Sequence, residues 1–140
     1  RRVTRCGRAG ARRGGDAGGV LILRREIAAH PDRVWQLVTD LEAWPRWGPS
    51  VRRAEIDGPF EVGATGRVWP VVGPPLPFVL TAVVPGRRWS WKVAGIPATT
   101  HAVEASGAGT RLSMGVPVWA PAYVPVVTIA LRRIDQLARA

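Results

Sequence analysis

Val84-Pro85-Gly86-Arg87-Arg88-Trp89-Ser90-Trp91-Lys92-Val93 is the stretch on which the fold turns. Pro85-Gly86 is a turn signal, and beyond it Trp89, Trp91 and Val93 alternate with Arg88, Ser90 and Lys92. Side chains along a strand point to opposite faces in turn, so this segment reads as a strand with one apolar and one wet face. Leu112, Met114 and Val116 set against Arg111 and Ser113 repeat the pattern. Further runs are closed by turn formers: Val51 to Ile56 by Asp57-Gly58-Pro59, Thr65 to Val72 by Gly73-Pro74-Pro75, and Pro77 to Val84 by Pro85-Gly86. Arg88 to Ala94 runs to Gly95, Thr99 to Ala105 to Ser106-Gly107, and Thr110 to Val118 completes the series. Six closely spaced runs with short turns predict an antiparallel meander.

Helical periods bracket the meander. After a first strand over Val20 to Ile27, His30-Pro31-Asp32 places proline and an acid at a helix start, and Val34, Leu37, Val38 and Leu41 form one stripe. Pro45 and Gly48-Pro49 end that region, with Trp44 and Trp47 on a short second helix or turn. At the C-terminal end Val127, Ala130, Leu131, Ile134, Leu137 and Ala138 share one side, with Arg132, Arg133, Asp135, Gln136 and Arg139 on the other. This helix is expected to cover the apolar face of the sheet.

Composition limits the chemistry. At 140 residues the chain suits one compact domain, and 46% hydrophobic residues supply a core without a staple. One cysteine, Cys6, and two histidines can build neither an internal disulfide nor a four-ligand zinc site, so no metal is expected. No glycine-rich phosphate loop lies in the part expected to fold, and no cofactor is expected. Seven tryptophans point instead to an indole-rich core or cavity.

Half of the formal charge of +10 falls in residues 1–19, which hold six Arg, six Gly and one Asp. This stretch reads as a disordered basic tail and, since Met114 is the only methionine, as an upstream over-reading of the gene. Its alternative reading is an arm for nucleic acid or an anionic membrane. Nucleic acid is not expected as a partner; peripheral membrane contact stays open, as does the oligomeric state. Leu112 to Leu131 carries no charge, but Pro117, Pro121 and Pro125 argue against a membrane span. Val20-Leu21-Ile22-Leu23 is too short for a secretory signal, so a cytoplasmic location is expected.

Four segments carry a resemblance: Ala29-His30-Pro31-Asp32-Arg33-Val34-Trp35, Thr39-Asp40-Leu41-Glu42-Ala43-Trp44-Pro45-Arg46-Trp47, Val84 to Trp91, and Gly107-Ala108-Gly109-Thr110-Arg111-Leu112. In their order and spacing the chain from Val20 to Ala140 resembles the polyketide cyclase/dehydrase and lipid-transport family of the START-like, or SRPBCC, superfamily. The resemblance implies an α+β helix-grip fold over residues 20–140. A curled seven-stranded antiparallel sheet would wrap around a long C-terminal helix, with two short helices after strand 1. It also implies an apolar cavity between sheet and helix for a hydrophobic small molecule.

The residues must supply the site, because one fold hosts many functions. Trp89, Trp91, Met114 and Trp119 are expected to contact a flat apolar ligand, joined by Phe78, Leu80, His101, Val103, Val127 and Leu131. The opposing reading is a solid core. An enzyme of the cyclase/dehydratase type would need an acid or base facing the cavity. His101 is the first candidate because it shares parity with Val103; Tyr123 and Arg67 are weaker ones. The plainer readings are a hydrogen-bonded core histidine, a tyrosine anchoring its turn, and an arginine on the outer face. Glu104, with parity opposite to His101, is expected to face solvent.

Overall fold

The computed structural model describes residues 19–140, so the expectation of a disordered basic tail over 1–19 lies outside them at all but its last residue. β1 (Val20–Ile27) leads into α1 (Pro31–Thr39) and α2 (Trp44–Trp47). Six strands follow: β2 (Val51–Ile56), β3 (Thr65–Pro70), β4 (Leu76–Val84), β5 (Arg88–Val93), β6 (Ile96–Ser106) and β7 (Gly109–Pro117). A 3-10 turn, Pro121–Tyr123, opens directly into α3 (Val124–Arg139). The seven strands form one antiparallel sheet in the order β1-β7-β6-β5-β4-β3-β2, so the meander is complete and β1 joins it beside β7.

The sheet curls because three of its pairings slip. Irregularities interrupt β2–β3 between Val51 and Arg53, β4–β5 between Leu80 and Ala82, and β5–β6 between Ser90 and Lys92. An unpaired extra residue bends a strand and raises its local twist. The result is a half-barrel whose concave face takes α3, the helix-grip arrangement. Phe78, Leu80, Trp89, Val103, Leu112, Met114 and Val116 all lie buried on that face. Gly66, paired with Phe78, has no room for a side chain: a Cβ there would strike the Glu55 carbonyl and the Phe78 ring.

Local chemistry explains the short helices. His30 caps α1, its Nδ1 accepting from the Asp32 amide at 3.2 Å, and Pro31 occupies a position where the missing N–H costs nothing. At the other end, the carbonyls of Leu37 and Val38 belong to the last turn, where a helix has no partners of its own. Trp47 Nε1 donates to the Leu37 carbonyl at 2.8 Å and Trp44 Nε1 to the Val38 carbonyl at 3.0 Å. The two indoles therefore cap α1 with their polar edges while their rings enter the core.

α3 buries Val127, Ala130, Leu131, Ile134 and Ala138, as its period predicts. It also buries Asp135, which the sequence pattern assigned to the polar side. That carboxylate accepts from Arg25 Nε of β1 and from Arg139 Nε, each at 2.7 Å. Two guanidinium partners offset the desolvation that a lone buried carboxylate would suffer.

Candidate functional site

Beneath the N-terminal half of α3 the concave face is not filled. A cavity of about 400 Å³ opens at one end of the half-barrel, between the ends of β3 to β7 and the turn before α3. Its walls include Val68, Leu76, Trp91, Val93, Pro97 and Trp119. A smaller inner chamber of about 40 Å³ lies deeper, walled by Trp44, Trp47, Trp89, His101, Met114 and Val127. Ser50, Val51, Trp91, Thr99 and Tyr123 line both, so the chambers adjoin.

A rigid aromatic cluster forms the floor. Trp89 stacks on His101 at 3.8 Å between ring centroids and on Trp44 at 5.3 Å, with interplanar angles of 12° and 1°. Phe60 and Trp91 meet Trp89 edge-on. Such offset and edge contacts are favoured by the ring quadrupoles and hold the indoles in place.

His101 is 3% exposed. Trp91 Nε1 donates to Thr99 Oγ1 at 3.2 Å, and Thr99 Oγ1 lies 3.4 Å from His101 Nε2. Nδ1 of His101 and Nε1 of Trp89 are buried without a hydrogen-bond partner. Burial pushes the His101 pKa down to about 3, against a smaller upward pull from the Trp89 backbone. Only an acceptor can pull a base upward, so this is the Trp89 carbonyl, near the ring but outside hydrogen-bonding geometry. At neutral pH the imidazole carries one proton and no charge.

The structure distributes the residues singled out from sequence unevenly. Trp89, His101, Met114 and Val127 line the inner chamber, Trp119 the outer one, and Trp91 and Tyr123 both. Phe78, Leu80, Val103 and Leu131 are buried in the core and line neither chamber. Trp119 stands at the rim, 61% exposed. Tyr123 Oη shares a 2.7 Å hydrogen bond with Ser50 Oγ, tying the turn before α3 to the entry of β2.

Arg67 is not brought to the site. Its parity on β3 is opposite to the buried Gly66 and Val68, and its guanidinium lies outside with Glu55 and the Trp69 ring. Glu104 also faces outward, bound to Arg111, which in turn holds Glu26 and lowers the Glu26 pKa through that hydrogen bond. Sequence reasoning placed Trp44 and Trp47 on a short second helix or turn, outside the expected site, and gave Thr99 no role; the Trp44-Pro45-Arg46-Trp47-Gly48-Pro49 turn feeding Ser50 was the available signal for the first two. Among the described residues no group of three or more His, Cys, Asp or Glu could hold a metal, and no helix is long and apolar enough to cross a membrane.

Fold and cavity together define a helix-grip protein with an internal apolar chamber. The chain belongs to the polyketide cyclase/dehydrase and lipid-transport family of the START-like superfamily, whose family model matches residues 23–136. Solved structures agree on the fold. A protein of Mesorhizobium loti shares 17% identity over 85% of this chain and 96% of its own, with a TM-score of 0.68. An uncharacterised protein of Rhizobium leguminosarum shares 18% over 87% and 95%, at 0.66. The dimeric Aha1 protein of Colwellia psychrerythraea shares 19% over 86% and 96%, at 0.64. No curated protein matches the chain.

Proposed function

We propose that this protein binds a hydrophobic small molecule, a lipid or a polyketide-like aromatic, in the cavity between the sheet and α3. The observation that carries the reading is the cavity itself: about 400 Å³, apolar-walled, open at one end and adjoining an indole-lined chamber. Ligand pockets occupy this size range and combine apolar walls with a few fixed polar groups. Membership of a family that includes lipid transport supports the same reading.

Binding without turnover accounts for the residues better than catalysis does. His101 is held neutral by burial, its partners are a threonine and two indoles, and Arg67 is outside. A general base tuned for neutral pH carries a pKa near the working pH and is oriented by a carboxylate, whereas the pKa of His101 is pushed down to about 3 and its side-chain contact is a threonine. Native mass spectrometry of the full chain purified from its own host tests this reading. The expected result is a stoichiometric apolar adduct, absent from a Val93→Trp variant whose indole fills the outer chamber. A protein that carries no adduct and takes up no apolar fluorescent dye overturns it.

A further inference from the structure

The end of the half-barrel at which the cavity opens is assembled from the start of β1, the entry to β2, the β3–β4 and β5–β6 turns, and the loop from β7 into α3. Pairing of Val20 with Pro117, Val51 with Pro70 and Val93 with Ile96 brings these strand ends together. None of the segments is charged: residues 19–23, 47–51, 68–86, 93–100 and 112–131 contain no Asp, Glu, Lys or Arg. Apart from Val62, every large hydrophobic side chain exposed among the described residues belongs to them, led by Val72 at 88% and Trp119 at 61%. Exposed apolar residues scattered singly mean little, but gathered around one opening they mark an interaction surface.

Behind this apolar end the charge is basic. The first charged residue along β1 is Arg24, along β2 Arg52 and along α3 Arg132, and Lys92 stands directly before Val93 on β5. All four are exposed, and none joins an ion pair among the described residues. At about 3.3 Å per strand residue and 1.5 Å per helix residue, each lies within roughly 13 Å of the end of its element, and its flexible stem can reach back toward that end. The acids next along β1 and β2 are already engaged, Glu26 by Arg111 and Glu55 by Arg53 and Arg67.

We propose that this end docks on an anionic lipid bilayer. Val72, Ile96 and Trp119 enter the interface, Arg24, Arg52, Lys92 and Arg132 meet the headgroups, and the cavity mouth opens against the membrane. A bilayer matches both halves of the surface, offering hydrocarbon at depth and negative charge around it, and tryptophan favours that boundary. A second copy of the chain matches only one half, because a two-fold contact over this end sets the basic residues of one copy against those of the other. Exposure and charge carry the docking face whatever fills the cavity.

Sedimentation of the full chain with phosphatidylcholine vesicles, with and without phosphatidylserine, tests the face. Binding is expected with phosphatidylserine and should weaken as salt rises. Val72→Glu should reduce it by about tenfold or more, since a carboxylate must then enter the interface beside anionic headgroups. Val62→Glu, altered at an exposed valine between β2 and β3, at the other end of those strands, should bind as the unaltered chain does. Brominated acyl chains should quench the tryptophan emission of the unaltered chain, and quench it less in Trp119→Phe. Equal binding by the two glutamate variants means that charge alone, residues 1–18 included, holds the lipid, which overturns the docking face. Failure to sediment with phosphatidylserine vesicles also overturns it, as does a dimer in solution that Val72→Glu dissolves. None of these results alters the adduct expected in the cavity, so the two readings fail separately.

Discussion

His101 and Trp47 show how single residues serve both the fold and the site. Because the His101 pKa falls from about 6.5 unfolded to about 3 folded, the unfolded chain takes up a proton between those values that the folded chain refuses. The sign follows: this group leaves stability untouched above pH 6.5, erodes it by up to about 1.4 kcal/mol per pH unit as pH falls toward 3, and adds nothing further below. Urea titrations across that window should show the slope, and His101→Phe should flatten it. Trp47→Phe keeps the ring but strands the Leu37 carbonyl at the end of α1. A loss of about 1–3 kcal/mol is expected in the same titrations, with the aromatic packing otherwise kept.

Elements are fastened by ion pairs as well as by their apolar stripes. α3 is fastened to β1 by Asp135, which is 6% exposed and held by Arg25 and Arg139. Arg25→Met leaves the carboxylate one partner short; because Arg25 itself is 39% exposed, the expected loss is about 1–3 kcal/mol, below that for a fully buried pair. Adding Asp135→Leu should recover most of it, measured as a double-mutant cycle. The β5–β6 hairpin carries Ala94 at φ 50°, followed by Gly95 at φ 77°. Left-handed backbone is unfavourable for alanine, so Ala94→Gly should raise the thermal midpoint, by up to about 1 kcal/mol in stability.

Across the described molecule, filled core and open cavity occupy different ends of one half-barrel. The stack of Trp44, Trp89 and His101 walls the inner chamber opposite Val127 and Ala130 of the N-terminal half of α3. Around the mouth, Val72, Ile96, Val118 and Trp119 are exposed, and no charged residue lies in Leu112–Leu131 or between Val93 and Thr100. The rim is apolar although the chain carries a formal charge of +10.

Strand and helix positions were legible from the residues alone because alternation and the helical period are local properties of backbone geometry. Seven strands, the two short helices and the C-terminal helix fall where the periods place them, with ends shifted by a few residues at β3 and β6. Parity likewise put His101 on the same face as Val103, and four quoted segments named the family. The sequence by itself therefore determined the architecture and the faces of β5, β6 and β7, while the parity of Arg67 and Trp69 on β3 stayed open. It did not determine depth along that face. Phe78 and Trp91 share the concave surface, yet Phe78 is in the core and Trp91 lines the cavity. The difference depends on three bulges that bend the sheet and on where α3 crosses it, and neither has a marker in local periodicity. Asp135 was missed for the same reason: its partner Arg25 is 110 positions away, and only the tertiary structure brings the two together. The buried, unpartnered nitrogens of Trp89 and His101 are likewise a property of packing, since a polar atom is unpaired only relative to what surrounds it.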